Sequence, residues 1–202
     1  MLMSYPIMKA SKQIAALCAA LFLAIPAATA QDATAKAKMA EIRTAYTNAM
    51  NQAKANQAAD SKNTMVFQSV QTDPNGVWKR KLEFICGQDY IEPLDLYYPT
   101  VQLIRETHDG AVEEYLYDPE GELMFVYERI TPEGEATITE YRYYYDKGVP
   151  FWKIEKTLDK GSGKALETKQ EAIADDDGNA YFLGRVGHDL YVAFEALTVI
   201  YD

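Results

Sequence analysis

The sequence predicts an α+β fold: an antiparallel β-meander of hairpins, with an N-terminal helix and a C-terminal helix packed on one face. Three observations predict this fold. First, a segment without Gly or Pro before residue 60 repeats its larger apolar residues every three to four positions. Second, short segments with a period of two follow, separated by tight-turn signals. Third, apolar residues at helical spacing return at the end of the chain.

The N-terminal helix is predicted within residues 31–62, and residues 63–202 are predicted to form the sheet and C-terminal helix of the same domain. Intervening Ala, Lys, Gln and Glu residues favour the helix. Because its apolar face is narrow, we expect this helix to pack on a sheet. The residues on that face are Met39, Ile42, Tyr46, Met50 and Ala53.

Seven strands are predicted between residues 64 and 157, because runs rich in Tyr, Val, Ile, Phe and Thr alternate with turn signals. In those turns Pro sets φ early and Gly takes a positive φ late. The predicted strands are Thr64–Val70, Val77–Cys86, Val101–Glu106, Val112–Tyr117, Glu122–Ile130, Ala136–Tyr145 and Val149–Thr157.

Two later segments leave the choice between helix and strand open. Lys164–Ala174 is polar and fits either a short helix or an edge strand. Tyr181–Tyr201 carries apolar residues at helical spacing, although β-branched residues near its end favour a strand. We predict a helix for Tyr181–Tyr201, packed on the same sheet face as the N-terminal helix.

The first thirty residues have the parts of a secretory signal peptide. These parts are a basic segment with Lys9 and Lys12, the apolar run Ile14–Ile25, and small residues at Ala28 and Ala30. The apolar run is too short to span a bilayer as a helix. The sequence therefore predicts a signal peptide at residues 1–30, cleavage before Gln31 and no stable membrane insertion. It predicts a secreted protein, periplasmic if the source is a Gram-negative bacterium.

Removal of that segment leaves Cys86 as the only cysteine, so packing and not a disulfide must stabilise the mature chain. The apolar neighbours Phe84 and Ile85 predict that Cys86 is buried. Lipidation at Cys18 is the alternative interpretation of the N-terminal segment. It ranks second because Leu17 stands where such a site needs a small residue.

Composition narrows the function. The 202 residues include 20 Lys+Arg and 30 Asp+Glu, a formal net charge of −10. Because nucleic-acid affinity comes largely from neutralising phosphates, this charge argues against a nucleic-acid partner. Two His and two Cys leave little material for a metal cluster, and we predict no cofactor and no metal site. The acidic turn Asp175–Asp177 lacks the ligand spacing of a calcium loop, although weak divalent binding there stays open.

No catalytic residue is predicted. The chain has no Gly-x-Ser-x-Gly sequence, and the local sequence indicates a turn residue at His108 and a helix-surface or helix-cap residue at His188. The acidic residues offer many carboxylate pairs, but sequence alone identifies none at a catalytic separation. A secreted non-enzymatic protein is therefore the leading hypothesis. The alternative is a secreted hydrolase that uses carboxylates on glycans.

The tyrosines are the most distinctive candidates for a binding surface. Alternation along a strand places Tyr141, Tyr143 and Tyr145 on one face, and Ile138 and Tyr144 on the other. We predict that the three odd-numbered tyrosines are the more exposed set and contact a protein or glycan partner. An aromatic ring supplies contact area and its hydroxyl supplies a hydrogen bond. The competing interpretation is that tyrosines simply suit strands.

A repeated pattern supports duplicated hairpins. Tyr117-Asp118 is followed by a turn glycine and a Phe-Val-Tyr strand, and Tyr145-Asp146 is followed by a turn glycine and a Phe-Trp-Lys strand. This pattern, within Val112–Thr157, resembles one in small secreted bacterial proteins of unknown function that have an N-terminal helix before a tyrosine-rich antiparallel sheet. The resemblance implies the fold and a secreted location, and it implies no catalytic residue.

Overall fold

The computed structural model of the chain describes residues 33–56, 64–73, 76–91, 96–108, 110–174 and 177–198, with side chains except those of 64–78 and 88–98. Two compact units are distinguished, Met1–Ala40 and Glu41–Asp202. The described part of the first unit is residues 33–40, which are helical. The predicted signal peptide lies outside the described residues.

The N-terminal helix, α1, occupies residues 33–56. Its length follows from the absence of Gly and Pro and from the many Ala, Lys and Gln residues that favour helix. Ile42 and Ala53 from the predicted stripe are buried, together with Ala49. These spacings of seven and four residues place the three side chains on one face of the helix.

Eight strands form one antiparallel sheet in the order β1-β2-β3-β4-β5-β6-β7-β8, so every strand pairs with its neighbours in the chain. The strands are β1 (Thr64–Asp73), β2 (Gly76–Ile91), β3 (Leu96–His108), β4 (Ala111–Tyr117), β5 (Leu123–Ile130), β6 (Thr137–Asp146), β7 (Val149–Asp159) and β8 (Ala165–Ala172). Gly121 has a φ of 85° in the β4–β5 turn, a conformation that glycine adopts without steric cost.

The predicted fold class is confirmed: the chain forms an α+β fold with an antiparallel meander between two helices. The structure also decides between helix and strand for the two segments whose secondary structure the sequence left open. Within Lys164–Ala174, the chain forms edge strand β8, whose residues are all exposed. The C-terminal helix, α2, spans Gly178–Thr198.

The two helices contact opposite faces of the sheet, so the prediction that they share one face is wrong. Tyr143 and Tyr144 are consecutive in β6, and consecutive strand side chains point to opposite faces. Asn179 Nδ2 of α2 donates a hydrogen bond to the Tyr143 hydroxyl at 2.8 Å. Arg43 Nε of α1 donates one to the Tyr144 hydroxyl at 3.0 Å. The sheet is therefore covered on both sides at β6.

Helix α2 approaches the sheet closely at Gly187. A Cβ atom at this position would lie 2.9 Å from Cδ1 of Tyr115, so only glycine fits without displacing the ring. The close approach allows the Tyr117 hydroxyl to donate a hydrogen bond to the Gly187 carbonyl at 2.7 Å. Further along α2, the Phe194 ring stacks on Phe84 with centroids 5.6 Å apart.

Candidate functional site

Two of the three tyrosines predicted as a binding surface lie beneath α2. Tyr143 and Tyr145 are only 2% and 1% exposed, so the prediction that they form the exposed set is wrong. Burial raises the pKa of Tyr143 to about 12. Ile138 and Tyr144, which the sequence places on the opposite face, are buried as expected. The error follows from the helix placement, because α2 covers a face that was expected to be free.

Tyr141 differs from its two neighbours on that face. Its side chain is half-buried, and its ring stacks on Tyr143 with centroids 6.0 Å apart. Burial, followed by the nearby charge of Glu155, raises the pKa of the Tyr141 hydroxyl. Tyr141 is thus the one member of the predicted set that retains access to solvent.

A groove lies between α2 and two turns of the sheet, and we call it the α2 groove. Its volume is about 560 Å³, within the range of about 300–1,000 Å³ usual for ligand sites. One helical stripe of α2 lines it, formed by Tyr181, Arg185, His188, Val192 and Glu195. The β4–β5 and β6–β7 turns line the other side, contributing Glu120, Glu122, Lys147 and Val149 among others.

Contacts between α2 and the sheet show which turn lies beside which half of the helix. Tyr145, which leads into the β6–β7 turn, lies beside Gly184, where an added Cβ would be 3.1 Å from the ring. Gly121 of the β4–β5 turn packs against Tyr191. The β6–β7 turn therefore flanks the N-terminal half of α2, and the β4–β5 turn flanks its C-terminal half.

Large apolar side chains stand exposed around the α2 groove. Val149 is 57% exposed, Tyr181 43% and Val192 47%. Single apolar residues on a surface are ordinary, but a group of them around a concave site is typical of interaction surfaces. The α2 groove therefore has the apolar contact area that a binding site needs.

Charged side chains of both signs line the α2 groove. Lys147 of the β6–β7 turn and Arg185 of α2 are the basic ones, Glu120, Glu122 and Glu195 are acidic, and the Glu122 carboxylate lies beside Gly148. Arg185 is exposed and stands 5.7 Å from the Phe182 ring centroid, a cation–π contact. Along α2 itself, the groove presents a basic residue, Arg185, and an acidic residue, Glu195, with His188 and Val192 between them.

A second polar cluster crosses the sheet, and we call it the glutamate row: Glu106 of β3, Glu113 of β4 and Glu128 of β5. The strand register pairs Glu113 with Glu106 on one side and with Glu128 on the other. Directly opposed residues on antiparallel strands have Cβ atoms about 4.5–5.5 Å apart. The three carboxylates are therefore neighbours on one sheet face.

Partners satisfy two of these carboxylates. Arg80 Nη2 donates a hydrogen bond to Glu106 Oε2 at 2.8 Å, and a second bond makes the pair bidentate. His108 Nε2 lies 3.3 Å from Glu113 Oε1, and the Tyr115 hydroxyl donates to the other oxygen of Glu113. These contacts hold the row in one arrangement.

Glu128 has a different environment. Burial raises the pKa of its carboxyl, and the charge of Glu113 adds to the effect, against weaker opposing contributions from Asn179 and His108. A carboxyl with a raised pKa beside another carboxylate is an arrangement that acid–base catalysis uses. The α2 groove is lined by other residues, so this cluster and that cavity are separate.

The structure places the other residues that the sequence analysis considered as candidates for chemistry, except Asp175 and Asp176. Cys86 is buried, as predicted, and burial raises its pKa to about 11. His188 is exposed on α2, also as predicted. Within the part of the chain that the structure describes, no group of three or more His, Cys, Asp or Glu side chains is placed to hold a metal ion. Asp175 and Asp176 lie outside that part, and Asp177 pairs with Lys153 at 2.9 Å.

The residues of the α2 groove were missed by the sequence reasoning. Their signal is present, since Tyr181, Arg185, His188, Val192 and Glu195 alternate by four and three positions. That spacing defines a second stripe on the helix, opposite the buried one. Only the first stripe was interpreted, because apolar periodicity reports the face that packs on a core.

Comparison of the chain with protein-family models, with curated proteins and with solved structures found no match. The likeness to tyrosine-rich secreted proteins therefore carries no argument about activity. Among the described residues, no helix is both long enough and apolar enough to cross a membrane.

Proposed function

We propose that the protein is a secreted, non-enzymatic binding protein whose interaction surface is the α2 groove. The observation that carries this proposal is the group of exposed apolar side chains, Tyr181, Val149 and Val192, around a cavity of about 560 Å³. Burying such side chains against a partner removes apolar surface from water and stabilises the complex. The partner belongs to one of two classes, a protein or a glycan.

The proposal moves the binding surface from the tyrosine face of the sheet to the outer face of α2. Tyr143 and Tyr145 hold α2 in place, and α2 in turn presents the groove. The half-buried Tyr141 is the member of the predicted set that remains open to contact. The tyrosine face thus supports the proposed surface from beneath.

Site-specific photo-crosslinking tests the proposal. A photoreactive phenylalanine analogue is placed at Tyr181, in the groove, in protein secreted by its native host. Leu166 on β8 provides the matched control, because it is also a large exposed apolar residue, at 62%, but does not line the groove. We expect a discrete adduct from position 181, identified by mass spectrometry, and none from position 166. Equal labelling at both positions, or none at either, would refute the proposed surface.

The glutamate row favours a second candidate, the carboxylate-dependent hydrolase acting on glycans. Opposed Cβ atoms about 5 Å apart allow Glu113 and Glu128 the carboxyl separation of a retaining glycosidase, about 5–5.5 Å. In this candidate Glu128, with its raised pKa, donates the proton and Glu113 is the nucleophile. Release of reducing ends from peptidoglycan or oligosaccharides, lost in Glu128→Gln but kept in the exposed control Glu133→Gln, would favour the hydrolase over the binding protein.

A further inference from the structure

We infer that the α2 groove is occupied by the same helix of a second copy of this chain, in an antiparallel two-fold dimer. This inference rests on the proposed function, because it names the partner of the proposed surface. It starts from the positions of the exposed stripe along α2, which spans Tyr181 to Glu195. These residues are about 21 Å apart at 1.5 Å per residue.

The stripe is self-complementary about residue 190. Arg185 and Glu195 lie five positions before and after that point, and His188 and Val192 lie two positions before and after it. Two antiparallel helices related by a two-fold axis at residue 190 therefore bring each Arg185 opposite the other copy's Glu195. The contact occurs twice, as an isologous interface requires.

The turns beside the helix carry both signs of charge, since Glu122 lies beside Gly148 of the turn that holds Lys147, so the helix charges set the orientation. An antiparallel arrangement opposes Arg185 of each copy to Glu195 of the other. A parallel arrangement would oppose like charges, which is unfavourable.

The interacting charges are available for this contact. Among the described residues, neither Arg185 nor Glu195 has an ion-pair partner within its own chain, and both are exposed. Tyr181 and Val192 supply apolar area along the same stripe. The formal net charge of −10 repels two copies at a distance, but physiological salt screens that repulsion beyond about 8 Å. The short-range contacts at the interface then determine the affinity of the two copies for each other.

Charge reversal and its rescue test the inference. Sedimentation equilibrium of the secreted protein, over a range of concentrations in physiological salt, measures the dimer dissociation constant of the wild type and variants. Arg185→Glu and Glu195→Arg should each weaken the dimer about tenfold or more, because each single change opposes like charges twice. The double variant Arg185→Glu/Glu195→Arg should recover affinity to within about threefold, since the pairs are restored with exchanged signs.

Lys160→Glu is the matched control for Arg185→Glu, because it changes the net charge by the same amount and sign at an exposed residue of the β7–β8 turn that does not line the groove. Thermal unfolding by circular dichroism verifies that each variant is folded. A wild type that stays monomeric, or single variants that dimerise as well as the wild type, would overturn the inference, as would a double variant without rescue. A monomer that still forms a crosslink from position 181 to another molecule would overturn the dimer and leave the proposed binding function standing.

Discussion

Buried tyrosine hydroxyls join the sheet to the backbone of α2. The hydroxyls of Tyr117 and Tyr145 donate to the carbonyls of Gly187 and Ala180, each at 2.7 Å. A hydroxyl beneath a helix needs such a partner, because an unpaired buried polar group is costly. Each ring therefore contributes apolar burial and a directional bond. Tyrosine, not phenylalanine, at these positions specifies where α2 lies along the sheet.

Substitutions at Tyr145 separate these two contributions. Tyr145→Phe leaves the ring in place and removes its bond to Ala180, so we expect a loss of about 1 kcal/mol of unfolding free energy. Tyr145→Ala removes the buried ring as well and should cost about 3–5 kcal/mol. Urea denaturation monitored by circular dichroism measures both values.

Tyr181→Ala is the control for the tyrosine prediction, because Tyr181 is exposed on the outer face of α2. It should change the unfolding free energy by less than about 1 kcal/mol. Equal losses in Tyr145→Ala and Tyr181→Ala would contradict the assignment of Tyr145 to the core.

Helix α2 begins at a single acidic residue that acts in two ways. Asp177 Oδ1 accepts a hydrogen bond from the backbone N–H of Ala180 at 3.2 Å, the geometry of an N-cap. Its other oxygen accepts one from Lys153 Nζ of β7 at 2.9 Å. The first bond stabilises the start of the helix, and the second attaches that start to the sheet.

The stability due to Asp177 should depend on pH. Burial acts to raise the pKa of Asp177, but the bond from Lys153 and the backbone bonds outweigh it and hold the pKa below its ordinary value of 3.8. A lowered folded-state pKa gives stabilisation that is present above the unfolded value and is lost as pH falls through the folded value. Asp177→Ala should therefore cost about 1 kcal/mol at neutral pH.

Urea titrations of wild type and Asp177→Ala at pH 7 and pH 3 measure this dependence. The difference in unfolding free energy between the two proteins should shrink at pH 3, because the unfolded chain takes up a proton near the ordinary pKa of 3.8, which the lowered pKa of the folded carboxyl opposes. Asp146→Ala, at the exposed aspartate that ends β6, provides the comparison. A difference between wild type and Asp177→Ala that is the same at both pH values would argue against an ionic role.

At the largest scale, within the unit Glu41–Asp202, the sheet is a layer between α2 and the part of α1 that belongs to this unit. At β4, Glu114 faces α1 and is only 4% exposed, held by Arg105 Nε at 2.7 Å and by the Tyr46 hydroxyl. Its neighbour Tyr115 belongs to the core under α2. Both faces of one strand are thus buried. At β4 the sheet is therefore covered on both sides.

The predicted signal peptide belongs to the same scale, because the sequence-based expectation of secretion concerns the location of the whole protein. If residues 1–30 are a signal peptide, protein recovered from the native host begins at Gln31. Intact-mass measurement of the recovered protein tests this expectation. A mass that includes residues 1–30, or a diacylglycerol on Cys18, would contradict it.

The order of the elements could be predicted because it depends on local chemistry. Turn glycines such as Gly121 and Gly148, preceded by Asp and Pro or Lys, mark hairpins that only neighbouring strands can form. Every strand accordingly pairs with its neighbour in the chain. The burial of Cys86 was also readable from its apolar neighbours. The sequence alone therefore predicts the α+β class, seven of the eight strands and the two helices, and it leaves β8 open between helix and strand.

Tertiary structure decided which surface each side chain occupies. Because side chains alternate along a strand, the sequence predicts that Tyr143 and Tyr144 point to opposite faces of the sheet. The alternation does not predict which of those faces a helix covers. That choice depends on where α1 and α2 pack, which is a contact between residues distant in the chain. Strand register likewise brought Glu113 opposite Glu128, and helix docking created the α2 groove. These features arise from long-range packing, which local sequence patterns do not encode.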